Sequence, residues 1–90
     1  MDWWSHNVHS RKMDRIKKNS EILQKLAEEI KALRAEKGLS QEALALTADV
    51  DRSYVSHLER GVANPTVDIL QRIAVALGTN VRLTLSREPD

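Results

Sequence analysis

Three glycines occur among the 90 residues, and each stands where an apolar helical repeat stops. Gly38, Gly61 and Gly78 punctuate a chain that between them fits only short helices. Residues 20–37 carry Ile22, Leu23, Leu26, Ile30 and Leu33 at steps of three and four, one face of an amphipathic helix. Ser20 is expected to cap its start and Lys37 lies in its last turn. Ser40 is expected to cap a second helix over 41–47, with Leu44 and Ala48 inward. After a tight connection through Asp49 and Val50, Asp51 is expected to cap a third helix, 52–60, with Val55 and Leu58 inward. Asn64-Pro65 marks a turn. Thr66 is expected to cap a fourth helix, 67–77, which turns Leu70, Ile73, Ala74 and Leu77 to the core.

The two ends read differently. Residues 1–19 are polar and basic, with net charge +3. Met13 and Ile16 are one turn apart, so part of this arm can be helical and can run into the next helix. Beyond Gly78 the period becomes two: Val81, Leu83 and Leu85 alternate with Arg82, Thr84 and Ser86. That alternation predicts a strand. The chain offers it no second strand, so the simplest partner is the same strand of a second copy across a two-fold axis. An extended tail or a short fifth helix are the alternatives. The expected fold is all-α: a compact four- to five-helix bundle with a helix-turn-helix, plus a short C-terminal β-strand paired across a dimer. The expected division is a basic arm at 1–19, the helical domain at 20–78, and a strand and tail at 79–90.

Composition narrows the function. There are no cysteines, which excludes disulfide scaffolds, thiolate metal sites and thiol catalysis, and fits a cytoplasmic location. The glycines are too scattered for a phosphate-cradling loop, and no paired carboxylates suggest acid–base work, so an enzyme is not expected. No cofactor is expected. His6 and His9 have a spacing that suits a metal, but no other ligand stands near them. No apolar run approaches the length of about 20 residues that a membrane span needs, and no signal peptide is visible. Net charge is only +1, and residues 38–61 carry net −2. Anion binding must therefore come from a few placed side chains and helix termini rather than a broad basic field.

Residues 41–60 carry the most specific pattern. Two short helices meet through a three-residue turn, with small Ala45 where they cross and Leu44, Ala48, Val50, Val55 and Leu58 supplying the apolar contacts. This is the helix-turn-helix pattern, whose second helix enters the DNA major groove. Outside the core, that helix presents Arg52, Ser53, Ser56, His57 and Arg60. Arg52 and Ser53 lie at the end that points at base edges, and Arg52 suits guanine O6 and N7.

The run Gly38-Leu-Ser-Gln-Glu-Ala-Leu-Ala, then Asp51-Arg-Ser-Tyr-Val-Ser-His-Leu-Glu-Arg-Gly61, then Asn64-Pro-Thr with Leu70, Ile73 and Ala76-Leu-Gly78, resembles the Cro/repressor-type (XRE) helix-turn-helix family. The resemblance spans about residues 22–78. Asp49 stands where the family usually has glycine in the turn. The resemblance implies an ion pair between Arg34 and Glu59. It implies base contacts at Arg52, Ser53 and His57, to which the exposed face adds Ser56, and a phosphate contact at Gln41. Arg60 and Tyr54 are further phosphate candidates. For Tyr54, partial burial is the alternative; for His57, an ordinary surface position.

The function these features imply is a sequence-specific double-stranded DNA-binding transcriptional regulator. It is expected to act as a homodimeric repressor that reads a palindromic operator through helix 52–60. Two alternatives stand beside it. A short alternating strand after Ala76-Leu-Gly78 resembles antitoxins, which also bind a protein toxin. The Asp51-Arg-Ser-Tyr-Val-Ser stretch resembles restriction–modification controllers, which usually lack such a strand. Trp3 and Trp4 could dock on the body, seal a dimer or meet a protein partner. The basic arm could track DNA or remain solvated.

Overall fold

The computed structural model describes the backbone of residues 3–87 and the side chains of residues 12–17 and 19–87. The expectations attached to the side chains of Trp3, Trp4, His6 and His9 lie outside the described residues. Four helices follow in order: α1 (Trp3–Lys37), α2 (Gln41–Ala48), α3 (Arg52–Glu59) and α4 (Val67–Ala76).

α1 is 35 residues long, and Ser20 lies inside it rather than at its start. A cap needs the residue before it to leave the helix. Residues 3–20 contain no glycine or proline to force that exit. The other caps divide. Ser40 Oγ accepts from the Ala43 N–H at 3.0 Å and Thr66 Oγ1 from the Ile69 N–H at 3.2 Å. Asp51 holds the extended backbone of a cap position, but its side chain makes no capping hydrogen bond.

The turn after α2 is made by a non-glycine residue. Asp49 takes φ 58° and ψ 51°, and its N–H bonds back to the last turn of α2. Aspartate visits this left-handed region at modest cost. Gly61 is favoured by its φ of 75°, a left-handed backbone that glycine adopts without steric cost; the atom a Cβ there would meet, Gln24 Oε1 at 2.8 Å, is the end of an exposed side chain that can move aside.

The core lies where α2 packs on α3 and α4, and α1 packs on α3. Leu44, Val55, Leu58 and Ile73 are fully buried, joined by Ile30, Ala45, Ala48 and Leu77. Truncating one of these leucines to alanine costs about 2–5 kcal/mol, a large share of what so small a domain holds. Leu26 and Leu33 add the inner face of α1. Among the described residues, no helix is long and apolar enough to cross a membrane.

Residues 79–87 form neither helix nor strand, which corrects the strand predicted at Val81, Leu83 and Leu85. The Thr79 N–H still bonds the Ala74 carbonyl at 2.8 Å, and Val81 is half-buried. Leu83 and Leu85 are exposed. The physical reason is the lack of a ladder: no strand among the described residues offers this segment a row of donors and acceptors. The described fold is all-helical.

Candidate nucleic-acid interface

α3 is a two-faced helix of eight residues. Val55, Leu58 and Glu59 are buried, while Arg52, Ser53 and His57 are exposed and Ser56 is half-buried. The apolar spacing of Val55 and Leu58 fixes which side faces the core, and everything opposite is turned to solvent. Arg60, just past the last turn, is also exposed.

The buried end of α3 is held by charge. Arg34 Nε donates to Glu59 Oε2 at 2.6 Å and Nη2 to Glu59 Oε1 at 3.0 Å. Arg34 Nη1 donates to the Leu39 carbonyl at 2.8 Å. Gln41 Nε2 donates to Glu59 Oε1 at 3.0 Å. A carboxylate only accepts, so this contact fixes which way round the Gln41 amide sits. Glu59 thereby joins α1, α2 and α3, and Arg34 separately ties in the α1–α2 connection. Burial pushes its carboxyl up. Hydrogen bonds from Arg34 and Gln41, with the charges of Arg34 and Lys31, outweigh this and hold it below its ordinary value. The hydrogen bond to Glu59 holds the Arg34 guanidinium above its own, against a smaller desolvation effect.

Gln41, Arg52, Ser53 and Ser56 line one shallow depression between the start of α2 and the exposed face of α3. The structure thus brings four of the sequence-predicted residues together. Tyr54 lies elsewhere: half-buried, it packs against the core and lines a separate groove with Asp49, Val50, Asp51, Ile69 and Arg72. His57 and Arg60 line neither.

Two features escaped the sequence reading. Gln41 was assigned only an outward contact, yet it also bonds inward to Glu59. Arg72 of α4 reaches the turn, donating from Nη1 to the Asp49 carbonyl at 3.3 Å, with its Nε 3.6 Å from Asp68 Oδ2. The four-residue spacing of Asp68 and Arg72 was a readable signal; the reach to Asp49 was not.

The helix-turn-helix family profile matches residues 30–83, which contain both helices of the motif and the ion pair. The chain belongs to the XRE-type helix-turn-helix family. Its likeness to known members is substantial. It is 38% identical over 63 residues to the immunity repressor protein of Bacillus phage phi105, covering 70% of this chain and 44% of that protein. The restriction–modification controller protein C.AhdI of Aeromonas hydrophila superposes with a TM-score of 0.65 at 40% identity, covering 67% of this chain and 91% of that one. The controller C.Esp1396I, solved as a tetramer in complex with its natural 35-base-pair operator, gives 0.62 at 40% identity, covering 64% and 76%. The chain spans about half the length of several curated relatives that it matches. These relatives are a repressor, regulators and controllers. With no C-terminal strand among the described residues either, the antitoxin and toxin-partner expectations have lost their support.

Proposed function

We propose that this chain is a sequence-specific double-stranded DNA-binding transcriptional regulator, a homodimeric repressor that places α3 in the major groove. The observation that carries this is the depression shared by Gln41, Arg52, Ser53 and Ser56, on a helix whose other face is buried and whose end is clamped. Arg52, Ser53, Ser56 and His57 are the base-reading side chains. Arg52 provides the bidentate fork. Gln41 contacts phosphate from the first turn of α2, where the helix N-terminus also favours an anion. Arg60 contacts phosphate beyond α3, and the Tyr54 hydroxyl is a further, less accessible phosphate partner. In a dimer the two copies of α3 fall about 34 Å apart, one DNA turn, and the operator is palindromic.

A second reading has its own support. Restriction–modification controllers usually lack a C-terminal strand, and this chain forms none in residues 79–87. The 91% coverage of one such controller favours this reading. It changes the genes controlled, not the chemistry of the interface.

Selection of bound fragments from genomic DNA at near-physiological salt tests both. Specific sites should be enriched by about 10³-fold or more over bulk DNA. A palindrome beside the protein's own gene supports the repressor, and one beside restriction and methylation genes supports the controller. Binding without sequence preference refutes both.

A further inference from the structure

We propose that Glu59 is a positioning residue for the phosphate backbone: it holds the Gln41 amide nitrogen as a bridge, with one N–H bonded inward to the carboxylate and the other left for a DNA phosphate. The role rests on the reading of Gln41 as a phosphate contact. It makes a buried acid, which has almost no surface of its own to offer DNA, one of the groups that govern binding. Gln41 is half-buried at the start of α2, on the wall of the depression it shares with Arg52, Ser53 and Ser56. Its side chain ends in an oxygen that only accepts and a nitrogen that only donates, through two hydrogens. Phosphate oxygens only accept. A half-turn about the last bond exchanges the two ends with little change of shape, so a glutamine surrounded by water offers phosphate the wrong end as readily as the right one.

Glu59 removes that freedom. Its Oε1 accepts from Gln41 Nε2 at 3.0 Å, and the reversed amide would set the Gln41 oxygen against a carboxylate oxygen. The carboxylate cannot turn away, because Arg34 holds both of its oxygens, Oε2 at 2.6 Å and Oε1 at 3.0 Å. Its burial keeps water from taking its place. The two hydrogens of the amide nitrogen diverge, so one nitrogen serves an anion on each side. With one hydrogen spent on Glu59, the second is the donor that remains for phosphate. A glutamine held in this way before DNA arrives has also given up the rotamer freedom that binding would otherwise cost.

The probe is the operator recovered by fragment selection, made as a series of duplexes in which one phosphate at a time is replaced by an uncharged methylphosphonate. The full-length native chain should lose about tenfold in affinity when the phosphate held by Gln41 is replaced. Gln41→Ala identifies that phosphate, because there the replacement should cost this variant nothing further. Glu59→Gln should cut the same penalty to about twofold, while the penalty at the Arg60 phosphate stays. Arg34→Lys loosens the hold on α3 but leaves the carboxylate to accept from Gln41, so it should keep the penalty. Retention of the penalty in Glu59→Gln, or its equal loss in Arg34→Lys, overturns the positioning role. So does a Gln41→Ala pattern identical to the native one. Failure to recover any operator overturns the DNA-binding reading along with it. A second measurement needs no substitution and does not depend on Glu59→Gln folding. In the isotope-labelled native chain, adding operator duplex should move the resonance of the outward Gln41 amide proton further than that of the proton bonded to Glu59. Equal movement of the two, or none, overturns the role.

Discussion

Arg34 and Glu59 are joined by two parallel contacts, 2.6 Å and 3.0 Å long, across 25 residues of sequence. Glu59 is 5% exposed, so its carboxylate depends on this partner for what water would otherwise provide. Arg34→Ala should therefore cost about 3 kcal/mol, the lower end for a broken buried pair because Arg34 is partly solvated. For a domain of this size that lowers Tm by more than about 10 °C, readable by circular dichroism. In a double-mutant cycle with Glu59→Gln, the second change should cost far less than it does alone. Additive losses would show that the two side chains act separately.

The same pair gives a pH dependence whose sign follows from Glu59. Its folded value lies below the ordinary one. Its stabilisation is therefore complete above the unfolded carboxyl value, about 4.3, and is lost as pH falls through the depressed folded value. Urea melts from pH 6 downward should show a falling midpoint in the native chain. The fall should be shallower in Glu59→Gln, which has no proton to take up. Equal slopes would remove Glu59 from the acid response.

Arg52 and Arg60 should separate by phenotype. Arg52→Ala should relax preference at one base position of each half-site, a discrimination worth about 1–3 kcal/mol. Arg60→Ala should weaken binding to all sequences alike and reduce the salt slope by about one. Binding titrations on matched and mismatched operators, at several salt concentrations, distinguish these. The opposite pattern would exchange the two roles.

Asp49 holds a φ of 58° without being glycine. Asp49→Gly should be as stable as the native chain or more so by up to about 1 kcal/mol, since glycine removes the steric cost at this φ. The Arg72 contact it keeps is to the backbone carbonyl, whereas the carboxylate it gives up is 97% exposed and 3.9 Å away. Asp49→Val should instead lose more than about 1 kcal/mol. A clear loss of Tm in Asp49→Gly would mean that the carboxylate matters more than the backbone.

Much of this arrangement was legible in the residues, and the rest was hidden for definable reasons. Ser40 and Thr66 mark helix starts because each follows a residue that has already left the preceding helix. Ser20 has the same chemistry, but nothing upstream ends α1, and a cap signal says only what a side chain can do. The alternation at Val81, Leu83 and Leu85 describes how a strand would face, not whether a neighbour exists to bond it. The exposed face of α3 followed from Val55 and Leu58, because apolar spacing on one side fixes the other. The Gln41–Glu59 bond could not be read this way. It joins residues 18 apart in different helices, and no periodicity connects them.

The clamp on Glu59 has a mechanical consequence for the proposed reading of DNA by α3. α3 is a lever about 12 Å long, fastened at its C-terminal end and bearing Arg52 at the other. A tilt of about 5° at the fastening moves Arg52 by about 1 Å, twice the tolerance of about 0.5 Å for a well-placed contact. Damage to Arg34 or Gln41 is thus converted into an aiming error at the opposite tip of the helix. A variant could keep its fold, keep its charge toward phosphates, and still lose its ability to tell one base pair from another.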